Sequence, residues 1–97
     1  MIKVIITEID GYNYTLKDNK EKFYKINIEF YGLSSNPTIN DVIYINEKLL
    51  QEIENKPVSF GPLDEKYGKT INYNNDTDII CITTKEGNIY LKRRLYA

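Results

Sequence analysis

The feature that most constrains this chain is a strict two-residue alternation. Across residues 23–31, Tyr24, Ile26, Ile28 and Phe30 alternate with Lys25, Asn27 and Glu29. A period of two places one set on each face of a pleated strand, so this stretch predicts a strand with one buried and one wet face. Similar runs recur at 2–9, 12–17, 42–45, 78–84 and 89–96, rich in Ile, Val, Thr and Tyr. Those residue types suit strands. The chain therefore reads as mainly β.

The first two runs raise a question of phase. Ile5, Thr7 and Ile9 lie on odd positions, whereas Tyr12, Tyr14 and Leu16 lie on even ones. We read them as one strand bulged at Asp10-Gly11, because one inserted residue would bring both sets to one face. The alternative is a tight Asp-Gly hairpin. Residues 18–22 form a polar turn. Lys85, Glu86, Gly87 and Asn88 read as a hairpin turn.

One helix is expected. Asn46 can cap a segment starting at Glu47, Leu49, Leu50 and Ile53 make one apolar stripe, and Asn55 with Pro57 ends it. At about two turns it must pack against something to persist. Residues 58–77 are harder to place, since long connections without structure are uncommon in compact domains. A short extra strand at 58–60 would shorten that connection.

Ninety-seven residues make a single domain, 1–97. Strand, strand, strand, helix, strand, strand, with a bent glycine-containing opening strand, resembles the OB-fold. The segment Pro37-Thr38-Ile39-Asn40-Asp41-Val42-Ile43 is similar to the proline-to-Gly-Asp entry into the third strand of OB and S1-like domains, with Asn40 where glycine is usual. The resemblance implies a five-stranded antiparallel OB-like barrel with one short helix between strands 3 and 4. An SH3-like barrel is the main rival, followed by an α+β meander with a packed helix. The resemblance covers most of the chain but implies a fold and names no function.

Composition excludes several chemistries. Without histidine there is no Ser-His-Asp or Cys-His pair and no histidine zinc ligand. A single cysteine, Cys81, allows neither an intrachain disulfide nor a thiolate zinc site from this chain alone. Flanked by Ile80 and Ile82, it reads as a buried, inert thiol. Cytoplasm is the expected setting, and the sequons at Asn13 and Asn75 then carry no glycan. No apolar run approaches the roughly 20 residues needed to cross a bilayer, so no membrane role is expected.

Three local motifs fail on spacing. Tyr67-Gly68-Lys69-Thr70 contains the Gly-Lys-Thr of a phosphate loop, but Leu63 stands where the upstream glycine belongs. Asn72, Asn74, Asp76 and Asp78 alternate like calcium ligands, yet Thr77 and Thr83 occupy the positions that need Gly and an acid. Glu8 with Asp10, and Asp76 with Asp78, are near pairs of acids without a recognisable set of partners. No cofactor or metal is expected, and the chain reads as a non-enzyme.

One surface is patterned. Tyr90, Lys92, Arg94 and Tyr96 share a face of the last strand, while Ile89 and Leu91 point the other way. Arg93 breaks the buried phase, so the strand is expected to bulge or leave the sheet there. Phe23, Tyr31 and Tyr44 would extend this face if they point outward. Aromatics interleaved with cations suit base stacking with phosphate contact, as in binders of single-stranded nucleic acid. Against that, 13 Lys plus Arg face 14 Asp plus Glu, for a net charge of −1, which supplies little phosphate attraction. Nine tyrosines also fit a protein interface. The expectation is a small non-enzymatic interaction module binding a protein partner or itself, with single-stranded nucleic acid as the alternative.

Overall fold

The opening runs fold back on each other. In the computed structural model, which describes residues 1–29, 37–56, 58–62 and 78–94, β1 (Ile2–Asp10) and β2 (Asn13–Lys17) form an antiparallel hairpin. Asp10 pairs with Asn13, leaving Gly11 and Tyr12 as the loop. Gly11 has φ 61°, the sign that a leading glycine supplies in a two-residue hairpin turn. The single strand bulged at Asp10-Gly11 is thus corrected to a hairpin. A bulge does exist, but at Thr7, where the register steps from Ile6 opposite Leu16 to Glu8 opposite Thr15. The core-facing residues of β1 are accordingly Val4 and Ile6, while Ile5 and Thr7 are half-buried.

The cleanest alternation behaves as expected. In β3 (Phe23–Ile28), Tyr24, Ile26 and Ile28 are buried, and Phe23 and Lys25 are exposed. Phe30 lies outside the described residues. The turn before β3 is built on Asp18. Its carboxylate accepts the backbone N–H of Lys20 at 2.9 Å, that of Lys22 at 2.9 Å and the Tyr24 hydroxyl at 3.1 Å. The Lys22 N–H contributes most to holding this carboxyl below its ordinary 3.8. A lowered native value means a contribution present above 3.8 and lost as the pH falls through the native pKa. The melting temperature of Asp18→Asn should therefore lie below that of the parent at neutral pH, and the gap should close in acid. A gap independent of pH would remove the charge from this account.

The helix forms where the cap and stripe place it. In α1 (Glu47–Asn55), which follows β4 (Val42–Ile45), the Asn46 side chain accepts the Lys48 N–H at 2.9 Å. Leu49, Leu50 and Ile53 are buried.

The remaining strands are β5 (Val58–Pro62), β6 (Ile79–Thr84) and β7 (Gly87–Arg94). The ladder runs β1-β2-β3-β5-β7-β6-β4 and returns to β1, a closed ring of seven strands. Two strands exceed the expected five: the hairpin separates β2 from β1, and β5 is the short strand foreseen at 58–60. The pairing is not wholly antiparallel, because β5 runs parallel to β3, with Ile26 opposite Val58 and Ile28 opposite Phe60. The helix now falls between the fourth and fifth strands.

The ring is filled by aliphatic side chains and Tyr14, Tyr24 and Phe60, with no buried polar or charged residue among those described. Burial pushes the Tyr14 hydroxyl up to about 12. The helix stripe joins this core, closing the end of the ring where β1 begins and β7 ends. Arg93 neither bulges nor leaves the sheet. It stays in register opposite Phe60, its N–H donates to the Asp78 carbonyl at 2.7 Å, and its guanidinium pairs with Glu52 on α1. A charged residue keeps the inward phase there because the helix end supplies a carboxylate. No helix among the described residues is long and apolar enough to cross a membrane.

Candidate functional site

The outer wall of the ring is where the patterned face falls. Tyr90 and Lys92 are half-buried and Arg94 is exposed, all three on the outside of β7, opposite in phase to buried Ile89 and Leu91. Register then assembles what lies beside them. Tyr90 stands opposite Cys81, Cys81 opposite Tyr44, and Tyr44 opposite Lys3. One outward row thus crosses four strands as Lys3, Tyr44, Cys81 and Tyr90. Tyr44 and Tyr90 thus share this outward row two strands apart, with Cys81 between them. Tyr31 and Tyr96 lie outside the described residues.

The row is not uniformly open. Cys81 is only 4% exposed and Ile79 only 1%, although both point outward. Burial is the main influence raising the Cys81 thiol above its ordinary value, against hydrogen bonds with Tyr90 and Thr83 that lower it. A buried, protonated thiol is a poor nucleophile. Arg94 lies flat along the wall, its guanidinium in the space a Gly61 side chain would need. The β7 end of the face is thus occupied by contacts of its own.

The open part lies on the other side of Tyr44. Phe23, 61% exposed, stands opposite Lys17, Lys17 opposite Ile5, and Ile5 opposite Val42. This second row adjoins the first, so Phe23, Lys17, Ile5, Val42, Lys3 and Tyr44 form one patch across β3, β2, β1 and β4. Ile5 and Val42 are half-buried, and Tyr44 is 38% exposed. Neither row contains a carboxylate. Glu8 and Asp10 also face outward, but beyond the Thr7 bulge, opposite Thr15 and Asn13.

Beside this patch lies a cleft of about 770 Å³ between the start of β1, the β2–β3 turn and α1. Ile2, Tyr24 and Leu50 line it together with Lys3 and Lys17. Lys22 bridges it by pairing with Glu54 on the helix. Its Asp18 carboxylate is committed to the turn, and its acidity is increased, opposite to what a general acid near neutrality needs. Glu8 and Asp10 are exposed. Asp76, the phosphate-loop-like residues 67–70 and most of the asparagine run lie outside the described residues. Among the described residues no cluster of three or more His, Cys, Asp or Glu could hold a metal.

Lys3, Ile5 and Lys17 were not singled out by the sequence. Their spacing signals only an outward phase on each strand; the neighbourhood follows from the β1–β2 and β1–β4 registers. Comparison with known proteins finds no matching family, no matching curated protein and no matching solved structure.

Proposed function

We propose that this protein is a small non-enzymatic interaction module that docks a protein partner on its outer wall. The observation that carries this reading is the pair of exposed aromatics, Phe23 and Tyr44, flanking half-buried Ile5 and Val42 on one sheet face. Clustered aromatic and aliphatic exposure of this kind marks contact surfaces, where Tyr and Phe are enriched. Each described strand has a hydrogen-bonded neighbour on both sides over part of its length, which favours a partner that engages side chains. The single buried Cys81 favours a reducing, cytoplasmic setting.

Lys3 and Lys17 beside these aromatics support a second reading, single-stranded nucleic acid. Both can be tested by placing a photo-cross-linking amino acid at Tyr44 in cells that make the protein, with the exposed helix position Lys48 as control. A protein adduct specific to position 44 is expected. A nucleic-acid adduct, or none beyond the control, would overturn the protein-docking reading.

A further inference from the structure

We infer that the occupant of the Phe23–Tyr44 patch is an acidic, apolar segment of another protein, its carboxylates meeting Lys3 and Lys17. The inference rests on the protein-docking reading and adds the chemistry of the partner. Two features of the wall carry it. The first is a pair of lysines left without an ion pair among the described residues, in a chain whose net charge is only −1. Lys3 and Lys17 lie in the two rows that contain no carboxylate, with Lys25 one row beyond Phe23 on the same face of β3. Neither Lys3 nor Lys17 forms an ion pair with a described residue. The nearest described acids, Asp18, Glu47 and Glu54, line the adjoining cleft with Lys3 and Lys17. There Asp18 is held by its turn and Glu54 by Lys22. Glu8 lies in the row of Lys25, opposite Thr15.

The second feature is what lies between the charges. Adjacent strands are about 4.8 Å apart, so the row from Phe23 to Val42 spans about 14 Å, roughly four or five residues of extended chain. Its interior is Lys17 and Ile5 and its far end Val42, so the rings of Phe23 and Tyr44 sit at the margins of the patch while its middle seats an aliphatic side chain beside a cation. A lysine between an exposed phenylalanine and an isoleucine matches a segment in which acids alternate with leucine-like residues. A polyanion needs many cations and meets 13 Lys plus Arg against 14 Asp plus Glu, whereas a segment with few acids draws also on the aliphatic seat at Ile5 and Val42.

A second copy of this chain is the poorer occupant. Of the helix acids, Glu52 already pairs with Arg93 and Glu54 with Lys22, so a copy would have to break its own contacts to present them. Helix against wall would also be a head-to-tail contact, which propagates unless its rotation closes.

The test uses fluorescence anisotropy with the full chain and a short labelled peptide alternating glutamate and leucine. A glutamine-for-glutamate analogue and an oligothymidine serve as the other probes. The acidic peptide should bind, with affinity falling as salt rises. The double substitution Lys3→Glu, Lys17→Glu should weaken it about tenfold or more, and Phe23→Ser by a similar factor. Lys48→Glu, the same charge change on the helix, should leave binding unchanged. All these side chains are at least half exposed to solvent or outward-facing, so the variants should melt with the parent. Equal binding of the glutamine peptide, no peptide binding, or preference for the oligothymidine would each overturn the inference. If the peptide fails while position 44 still cross-links to a protein, the acidic chemistry falls and the docking module stands. Absence of a protein adduct brings down both.

Discussion

Phe60→Ala is expected to lower the unfolding free energy by about 3–5 kcal/mol, the usual range for a fully enclosed phenylalanine. Phe60 has no exposed surface and stands in β5 between Ile28 of β3 and Arg93 of β7. Its carbonyl also accepts the Glu29 N–H at 2.9 Å. Domains of this size hold only about 5–15 kcal/mol in total, so the substitution should consume much of the margin. Phe60→Leu, which keeps most of the volume, should cost less than about 1.5 kcal/mol. Urea unfolding followed by circular dichroism measures both. A loss under about 1 kcal/mol for the alanine variant would mean that β5 is not part of the closed core.

Leu49→Ala should cost about 2–5 kcal/mol, although Leu49 sits in a helix of only nine residues. Such a helix is marginal alone and depends on the stripe it buries. Leu49 is 1% exposed and joins the ring core with Leu50 and Ile53. Gln51→Ala, on the exposed side, should change stability by less than about 0.5 kcal/mol. Equal effects at the two positions would detach the helix from the core.

The elements that could be read in advance are those whose signals are local. Asn46, the Leu49–Leu50–Ile53 stripe and Pro57 bracket α1 without reference to any other part of the chain. Alternation alone fixes the faces of β3 and of β7 up to Leu91. What was not fixed depends on partners distant in sequence. The parity of β1 is set by the Thr7 bulge, which exists because Ile6 and Glu8 must both find places opposite β2. Val58–Pro62, with a glycine and a proline in five residues, has no period of its own and becomes a strand by lying between β3 and β7. Arg93 looked like a break because its carboxylate partner, Glu52, is 41 positions away. The candidate site follows the same division. The outward phase of Tyr90, Lys92 and Arg94 was legible within one strand, whereas the meeting of Lys3, Ile5, Lys17 and Phe23 required three strands to be aligned.

The return of the ladder to its first strand also bears on how this protein survives at high concentration. A chain with so little net charge has weak electrostatic repulsion between copies. Isoleucine-rich β segments under those conditions are the usual raw material of amyloid. Here every described strand has a hydrogen-bonded neighbour on each side over part of its length, so little of the described backbone, chiefly residues 8–10 and 23–25, is left to template a fibril while the ring is intact. The wall can therefore be adhesive through its side chains, and its complexes can form and dissolve without any backbone hydrogen bond being exchanged.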